Sequence, residues 1–321
     1  MTTVAVTGAC GKAGRAVVAD LLAHGYTVLA TDVVGVPGDE GDLGTPLVHA
    51  DLTDYGQAIE ALAGAQMVVH LANIPAPGRS TPPETINRNT TMNTNVFLAA
   101  ARLGVRKVVW ASSETTLGLP FANGPQYVPV DEAHFPHPTT TYALSKVLGE
   151  ETAKHISTLT GIPFVGLRIS NIFRPEDYAR VPGFQDDAQA RRWNLWGYVD
   201  ARDVAQAVRR ALETTTTGSH NVIVAAADTI MDRPSAELLD EVFPGAERRR
   251  DISGNETLLS IDAARELLGY APEHSWRDQP GATGGGRRDE EHGGADDEGS
   301  PDEHAHDDAR ARDDEAIDPQ I

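Results

Sequence analysis

The stretch Thr3-Val4-Ala5-Val6-Thr7-Gly8-Ala9-Cys10-Gly11-Lys12-Ala13-Gly14 runs from a short apolar, β-branched segment into three glycines with two residues between each. From Gly14 to His24 the apolar positions return at helical spacing, so the glycines occupy a strand-to-helix turn. Gly8 permits the tight turn off the strand, Gly11 lets backbone approach a ligand, and Gly14 allows helix to pack closely on sheet. Unpaired amides at the start of that helix make the turn a site for an anion.

Outward from this unit the alternation continues. Strand-like segments fall at Thr27–Thr31, Leu47–Ala50, Met67–Leu71, Lys107–Ala111 and Phe164–Arg168, with helical patterns at Tyr55–Leu62, Glu84–Arg102, Thr140–Thr160 and Ala201–Glu213. Strands joined by crossover helices build a parallel sheet, so the expected class is α/β with a doubly wound parallel sheet. Residues 1–170 are expected to form this sheet domain, and residues 171–278 a smaller lobe interleaved with it. Beyond about Trp276 hardly an apolar residue remains, too few to offset ordering entropy, and residues 279–321 are expected to be a disordered acidic tail. The tail histidines His292, His304 and His306 belong to a solvated charge run, and no metal site is expected.

The net charge of −20 is unevenly spread: the tail holds fourteen acidic against four basic residues. The rest carries almost no Lys and takes its positive charge from Arg. Such a surface repels nucleic acid and anionic membranes. It resembles the surfaces of proteins from salt-loving microbes, although a GC-rich genome favours the same residues. A single cysteine, Cys10, excludes an internal disulfide framework and a Cys-based zinc site. With no basic leader or long apolar run at the start, a cytoplasmic location is expected.

The glycine turn fits a dinucleotide. Gly8, Gly11, Lys12, Ala13 and Gly14 would hold its diphosphate. Asp32 ends the second strand, where a carboxylate accepts ribose hydroxyls and repels a 2′-phosphate, so NAD is favoured over NADP; Lys12 or Arg15 would partly tolerate the extra phosphate. Asp51 and Leu52 are placed for the adenine amine and face. Leu71 and Ala72 are small enough for backbone to pass the cofactor, and Asn95, on the long helix with Asn89, is expected to brace the middle of the sheet.

Tyr142-Ala143-Leu144-Ser145-Lys146 opens a helix about thirty residues beyond Ser112-Ser113. Positions four apart share a helix face, so phenol and ammonium enter the same space. An ammonium and an oxidised nicotinamide would bring a tyrosine pKa near 10 down toward neutrality. Tyr142 then takes a proton from an alcohol as hydride leaves, and Ser113 stabilises the same oxygen.

Together Gly8-x-x-Gly11-x-x-Gly14, Asp51-Leu52, His70-Leu71-Ala72, Ser112-Ser113-x-x-x-x-Gly118, Tyr142-x-x-x-Lys146 and Leu167-Arg168-Ile169-Ser170-Asn171 resemble the extended short-chain dehydrogenase/reductases, the NAD-dependent epimerase/dehydratase family. The resemblance covers about residues 1–278 and implies a Rossmann domain with a small C-terminal lobe over a sugar. Only about two dozen residues separate Pro175 from Tyr198, little chain to enclose a nucleoside diphosphate, so a small free sugar fits better. Among small-substrate members the chain looks most like uronate and aldose dehydrogenases, which oxidise C1 to a lactone. That resemblance places Ser113, Tyr142 and Lys146 as the catalytic trio and Asn171 and Arg180 at the sugar, with Arg174, Arg191 and Arg192 as other available cations. Pro75 and Thr115 depart from the uronate pattern, which leaves neutral pentoses and hexoses open. Glu114 matches the first of two acidic positions of the dehydratases, but Thr115 does not supply the second, and Glu114 is expected to orient a sugar hydroxyl or a strand end. The alternatives are an epimerase that retains its cofactor and a protein that binds dinucleotide without chemistry. The resemblance also implies a homodimer through the Glu84–Arg102 and Thr140–Thr160 helices.

Overall fold

The computed structural model describes residues 1–35, 42–121 and 123–279. The expected tail therefore lies outside the described residues, apart from Gln279.

Seven parallel strands form one sheet: β1 Thr3–Thr7, β2 Thr27–Asp32, β3 Leu47–His49, β4 Met67–His70, β5 Val108–Ser113, β7 Phe164–Ile169 and β10 Ser219–Val224. Their order across the sheet is β10-β7-β5-β4-β1-β2-β3. Winding reverses between β1 and β4, and such a switch point opens a crevice at the carboxyl ends of the strands. The central strands are covered on both faces, and β4 and β7 are buried throughout. Val4 and Val6 point into one core while Ala5 points into the other, and Val109 and Val108 divide the same way. Each of these valines contributes about 1.5–3 kcal/mol by leaving water.

One face carries α1 Lys12–Ala23 packed on α5 Ala201–Glu213; the other carries α2 Tyr55–Leu62, α3 Pro82–Leu103 and α4 Thr141–Thr160. The helix ends follow from local chemistry. Thr81 caps α3 ahead of Pro82 and Pro83, and Thr140 caps α4 by accepting from Ala143 N at 3.1 Å. Gly104 and Gly161 close the two helices in the left-handed conformation.

Several element ends shift by a residue or two from the sequence reading, and one whole strand of the sheet is added. β5 runs to Ser113, where it pairs with Ile169 of β7, so Ser112 and Ser113 close the strand. β10 was not foreseen: the run Ser219-His220-Asn221-Val222-Ile223-Val224 is half polar, and its pairing with β7 supplies the missing drive. The chain thus leaves the sheet after β7 and returns to it through α5 and β10. On its excursion it makes β8 Ile172–Phe173 with β9 Val199–Asp200; β6 Tyr127–Val128 pairs with β11 Glu247–Arg248, and α6 Ser235–Val242 and α7 Asp262–Leu268 complete the elements. No helix of the described residues is long and apolar enough to cross a membrane.

Candidate active site

A cleft of about 740 Å³ opens along the carboxyl ends of β1, β2, β4, β5 and β7. Every site residue expected from the sequence lines it except Asn95 and Arg180. At its floor Gly8 turns with φ +70°, and a Cβ there would meet Ala72 N at 2.6 Å. A Cβ on Gly14 would lie 2.0 Å from Gly8 O, whereas Gly11 has only that oxygen near, at 3.3 Å. Gly8 and Gly14 therefore press loop, β4 and α1 together, while Gly11 leaves the cleft side open. No side chain caps the start of α1, so its first amides remain for an anion such as a diphosphate. Lys12 instead turns its ammonium to Asp177 Oδ2 at 2.7 Å.

Asp32 is fixed by backbone: Cys10 N donates to Oδ2 at 2.9 Å and Val33 N to Oδ1 at 2.7 Å. The carboxylate is thereby held at the end of β2, where it can accept ribose hydroxyls and repels a 2′-phosphate. Asp51 accepts from Thr53 N and Oγ1, which hold its carboxyl below the usual range. Asn95 corrects the expectation. Its Nδ2 donates to Leu52 O at 3.0 Å and Thr53 O at 2.9 Å, so it fastens the turn after β3 and stands outside the cleft. The brace at mid-sheet is Asn93, whose Oδ1 accepts from His70 Nε2 at 3.0 Å and Asn73 Nδ2 at 3.1 Å. Thr7 Oγ1 then donates to His70 Nδ1 at 2.7 Å, and burial pulls the imidazole down to about 3, leaving it neutral.

Ser113, Tyr142 and Lys146 converge at the middle of the cleft. Ser113 Oγ accepts from Thr115 N at 3.2 Å and from Thr115 Oγ1 at 2.9 Å, which frees its own proton to donate. Tyr142 stands in the first turn of α4, and Lys146 Nζ lies 5.5 Å from its ring centre while donating to Ala111 O at 2.8 Å. Burial pushes the Tyr142 phenol up to about 12, against the pull of the Ser113 hydroxyl and helped by the charge of Glu114. Burial likewise brings Lys146 down to about 7, with Glu150 opposing. Glu150 is locked by Arg168 through two 2.9 Å hydrogen bonds and by Ser112 Oγ at 2.6 Å.

Beyond the trio, Asn171 lines the cleft and its Oδ1 accepts from Arg191 Nη2 at 3.1 Å. Arg180, expected at the sugar, is 60% exposed and pairs with Asp177 at 3.1 Å. Its place on an exposed 3₁₀ segment, Pro175–Phe184, turns it to solvent, and the buried Arg191 is the arginine beside Asn171. Glu114, directly after Ser113, is buried; desolvation pushes it up to about 7 against the nearby Ser170 hydroxyl, Asn194 amide and Arg191 charge.

A family model described as the NAD dependent epimerase/dehydratase family matches residues 4–227. The chain belongs to this family. It is thus an NAD-dependent enzyme of the extended short-chain dehydrogenase/reductase type, as the motifs implied, and NAD is its cofactor. The chain is 31% identical over 193 residues to an NAD-dependent glucose-6-phosphate dehydrogenase of Haloferax volcanii, covering 55% of this chain and 72% of that protein. It is 26% identical to a UDP-glucose 4-epimerase of Rhizobium leguminosarum bv. trifolii, covering 85% and 93%, and 27% identical to a uronate dehydrogenase of Pseudomonas syringae pv. tomato, covering 70% and 74%.

Within this family member, the sequence reading overlooked Asn93, Trp193 and the Glu150–Arg168 pair. Glu150 carried a signal, since it lies four residues beyond Lys146 on the same helix face. Trp193 carried none: it lines the cleft from a 3₁₀ turn, Arg192–Asn194, which is held by bonds such as that from Phe121 N to Trp193 O at 3.1 Å.

Proposed function

We propose that this enzyme oxidises a hydroxyl of a small free sugar or sugar acid, at C1 and to the lactone, with NAD. The observation that carries the reading is the convergence of Ser113, Tyr142 and Lys146 beside the open glycine turn in one cleft. Bound NAD supplies the hydride acceptor. Ser113 donates to the reacting oxygen, Tyr142 takes its proton, and Lys146 in its charged form steadies the phenolate. Because burial favours neutral phenol over phenolate, oxidation should quicken as pH rises. The short excursion between β8 and β9 supports a small substrate. The reading includes a cytoplasmic homodimer through α3 and α4, whose Leu98, Leu103, Leu144 and Leu148 stand exposed.

The test is a screen of free aldoses and uronates with NAD and NADP, read at the reduced-nicotinamide band. A sugar that reduces NAD, and a Tyr142→Phe variant slower by about 10²–10⁴-fold, support the reading. Interconversion of nucleotide sugars with no net absorbance change would replace it by epimerisation, the reaction for which the Rhizobium relative is named.

A further inference from the structure

Of the four tryptophans, three are sealed in the core: Trp110, Trp196 and Trp276 are at most 1% exposed. Trp193 is the exception, half-buried and lining the cleft. Its place is beside the trio, since the next residue, Asn194, donates to Glu114 Oε1 at 3.4 Å and Glu114 follows Ser113. A strained backbone keeps it there. Leu195 and Trp196 take positive φ, 57° and 55°, a conformation that non-glycine residues hold only when their surroundings enforce it. Here Trp196 N donates to Arg191 O at 3.0 Å and Trp196 Nε1 to Ala188 O at 2.8 Å, and both strained residues are fully buried. The turn thus sinks Leu195 and Trp196 in the core and leaves Trp193 at the cleft. Arg191 lies over the Trp193 ring at 5.1 Å and is itself boxed by the rings of Phe173 and Phe184, at 5.6 and 5.4 Å. The indole is therefore backed by a fixed cation, and no described group hydrogen-bonds its Nε1.

We propose that Trp193 is the stacking platform of the substrate end, receiving one C–H face of a closed sugar ring while Ser113 and Tyr142 hold the hydroxyl that reacts. The inference rests on the dehydrogenase reading and narrows its substrate to sugars in ring form. A pyranose or furanose has two kinds of surface: hydroxyls project around its rim, and the ring C–H groups form a flat apolar patch that matches an aromatic plane. Water leaves both surfaces when they meet. Polar contacts alone would serve an open-chain polyol as well as a ring. A platform does not, because the open chain must freeze into a flat shape before it can cover the indole, and that ordering opposes binding. The platform is already ordered by its strained turn and its guanidinium backing, so it loses little freedom when the ring settles on it. Its Nε1 proton is left to donate to a ring oxygen or hydroxyl.

The experiment separates binding from chemistry. NAD-loaded Tyr142→Phe protein is titrated with D-glucose, D-galactose, D-xylose, L-arabinose and D-glucuronate, with calorimetry to report binding and acrylamide quenching of tryptophan emission to report Trp193. Because the other three tryptophans are buried, the quenchable emission belongs to Trp193. The expected result is that a bound sugar shields this emission, and that the open-chain alcohol made by reducing the same sugar binds more weakly. With Tyr142 intact, Trp193→Ala should raise the sugar KM by about tenfold and erase the preference for ring over chain, while kcat and NAD affinity change little. Trp193→Phe, which keeps an aromatic plane, should retain most of both. A bound sugar that leaves the quenching unchanged, or a Trp193→Ala enzyme with unaltered sugar KM, overturns the inference and leaves the dehydrogenase reading standing. Shielding by a sugar that the enzyme never oxidises upholds the platform and sinks the dehydrogenase reading alone, and binding of none of these sugars sinks both.

Discussion

The two ends of the cleft are made of different material. The cofactor end is backbone: the open amides of α1, the Gly8 turn against Ala72, and the three amides of Cys10, Val33 and Val34 that hold Asp32. The end beside the trio is side chains: Glu114 and Asn171 line it, and Asn194 and Arg191, from one turn behind them, hydrogen-bond to these two. A backbone site is specified by where side chains are absent, and it tolerates no added atom. A side-chain site is specified by mutual satisfaction, and its members can be exchanged at graded cost.

The sharpest break of this contrast is one methyl group. Gly14→Ala sets a Cβ 2.0 Å from Gly8 O and 2.8 Å from Ala9 backbone, so α1 must shift and the anion site with it. NAD affinity should fall by at least about 10²-fold, with a lowered melting temperature, as read by calorimetry and thermal unfolding. Gly183→Ala, on the exposed 3₁₀ segment Pro175–Phe184, meets nothing within 4 Å and should leave both unchanged. An unaffected Gly14→Ala would show that the turn is not built by close approach.

Next in size is the pair beneath the trio. Arg168→Met strands the buried Glu150 carboxylate and should cost about 3–5 kcal/mol in denaturant unfolding. The double variant with Glu150→Leu should recover most of that, because no charge is then left alone. Failure of the double variant to recover stability would assign Arg168 to packing against Phe135, whose ring centre lies 4.4 Å from its guanidinium.

Legibility in the sequence follows the same division. The glycine turn, Asp32, Ser113, Tyr142 and Lys146 could be placed because each sits at a fixed offset from a strand end or helix start, where local geometry dictates direction. Asn95 and Arg180 could not. Asn95 and Asn93 differ by two positions on α3, about 200° around the helix, and only the packed sheet decides which one faces His70. Arg180, Arg191 and Arg192 are chemically alike, and the fold of a segment without regular periodicity sorts them. β10 escaped notice for a related reason: its pattern is weak, and the edge of β7 makes it a strand.

A titration sharpens the comparison from the substrate side. Burial raises Glu114 from 4.5 to about 7, so the folded protein holds a proton that the unfolded chain releases first. Stability from this group is full below pH 4.5 and is lost as pH climbs to about 7, by up to about 1 kcal/mol per pH unit. Lys146, lowered to about 7, acts in the opposite sense and adds stability as pH climbs from there toward 10.5. Glu114→Gln should flatten the lower window and leave the upper one intact when unfolding is measured from pH 4.5 to 10. An unchanged slope between 4.5 and 7 would place the Glu114 carboxyl in a wetter setting than its 3% exposure implies.

The smallest effect separates two arginines. Arg180 pairs with Asp177 at the surface, where ion pairs contribute about 0–1 kcal/mol, so Arg180→Ala should move stability by no more than about 0.5 kcal/mol and sugar KM by no more than about twofold. Arg191 is buried and donates to Asn171, a cleft residue. Arg191→Ala removes that donor and should raise the sugar KM by about tenfold or more while NAD affinity holds, since the backbone end of the cleft does not depend on it. Were the two variants to behave the other way round, the substrate would be gripped from the exposed 3₁₀ segment, and the side-chain end of the cleft would extend outward to Arg180.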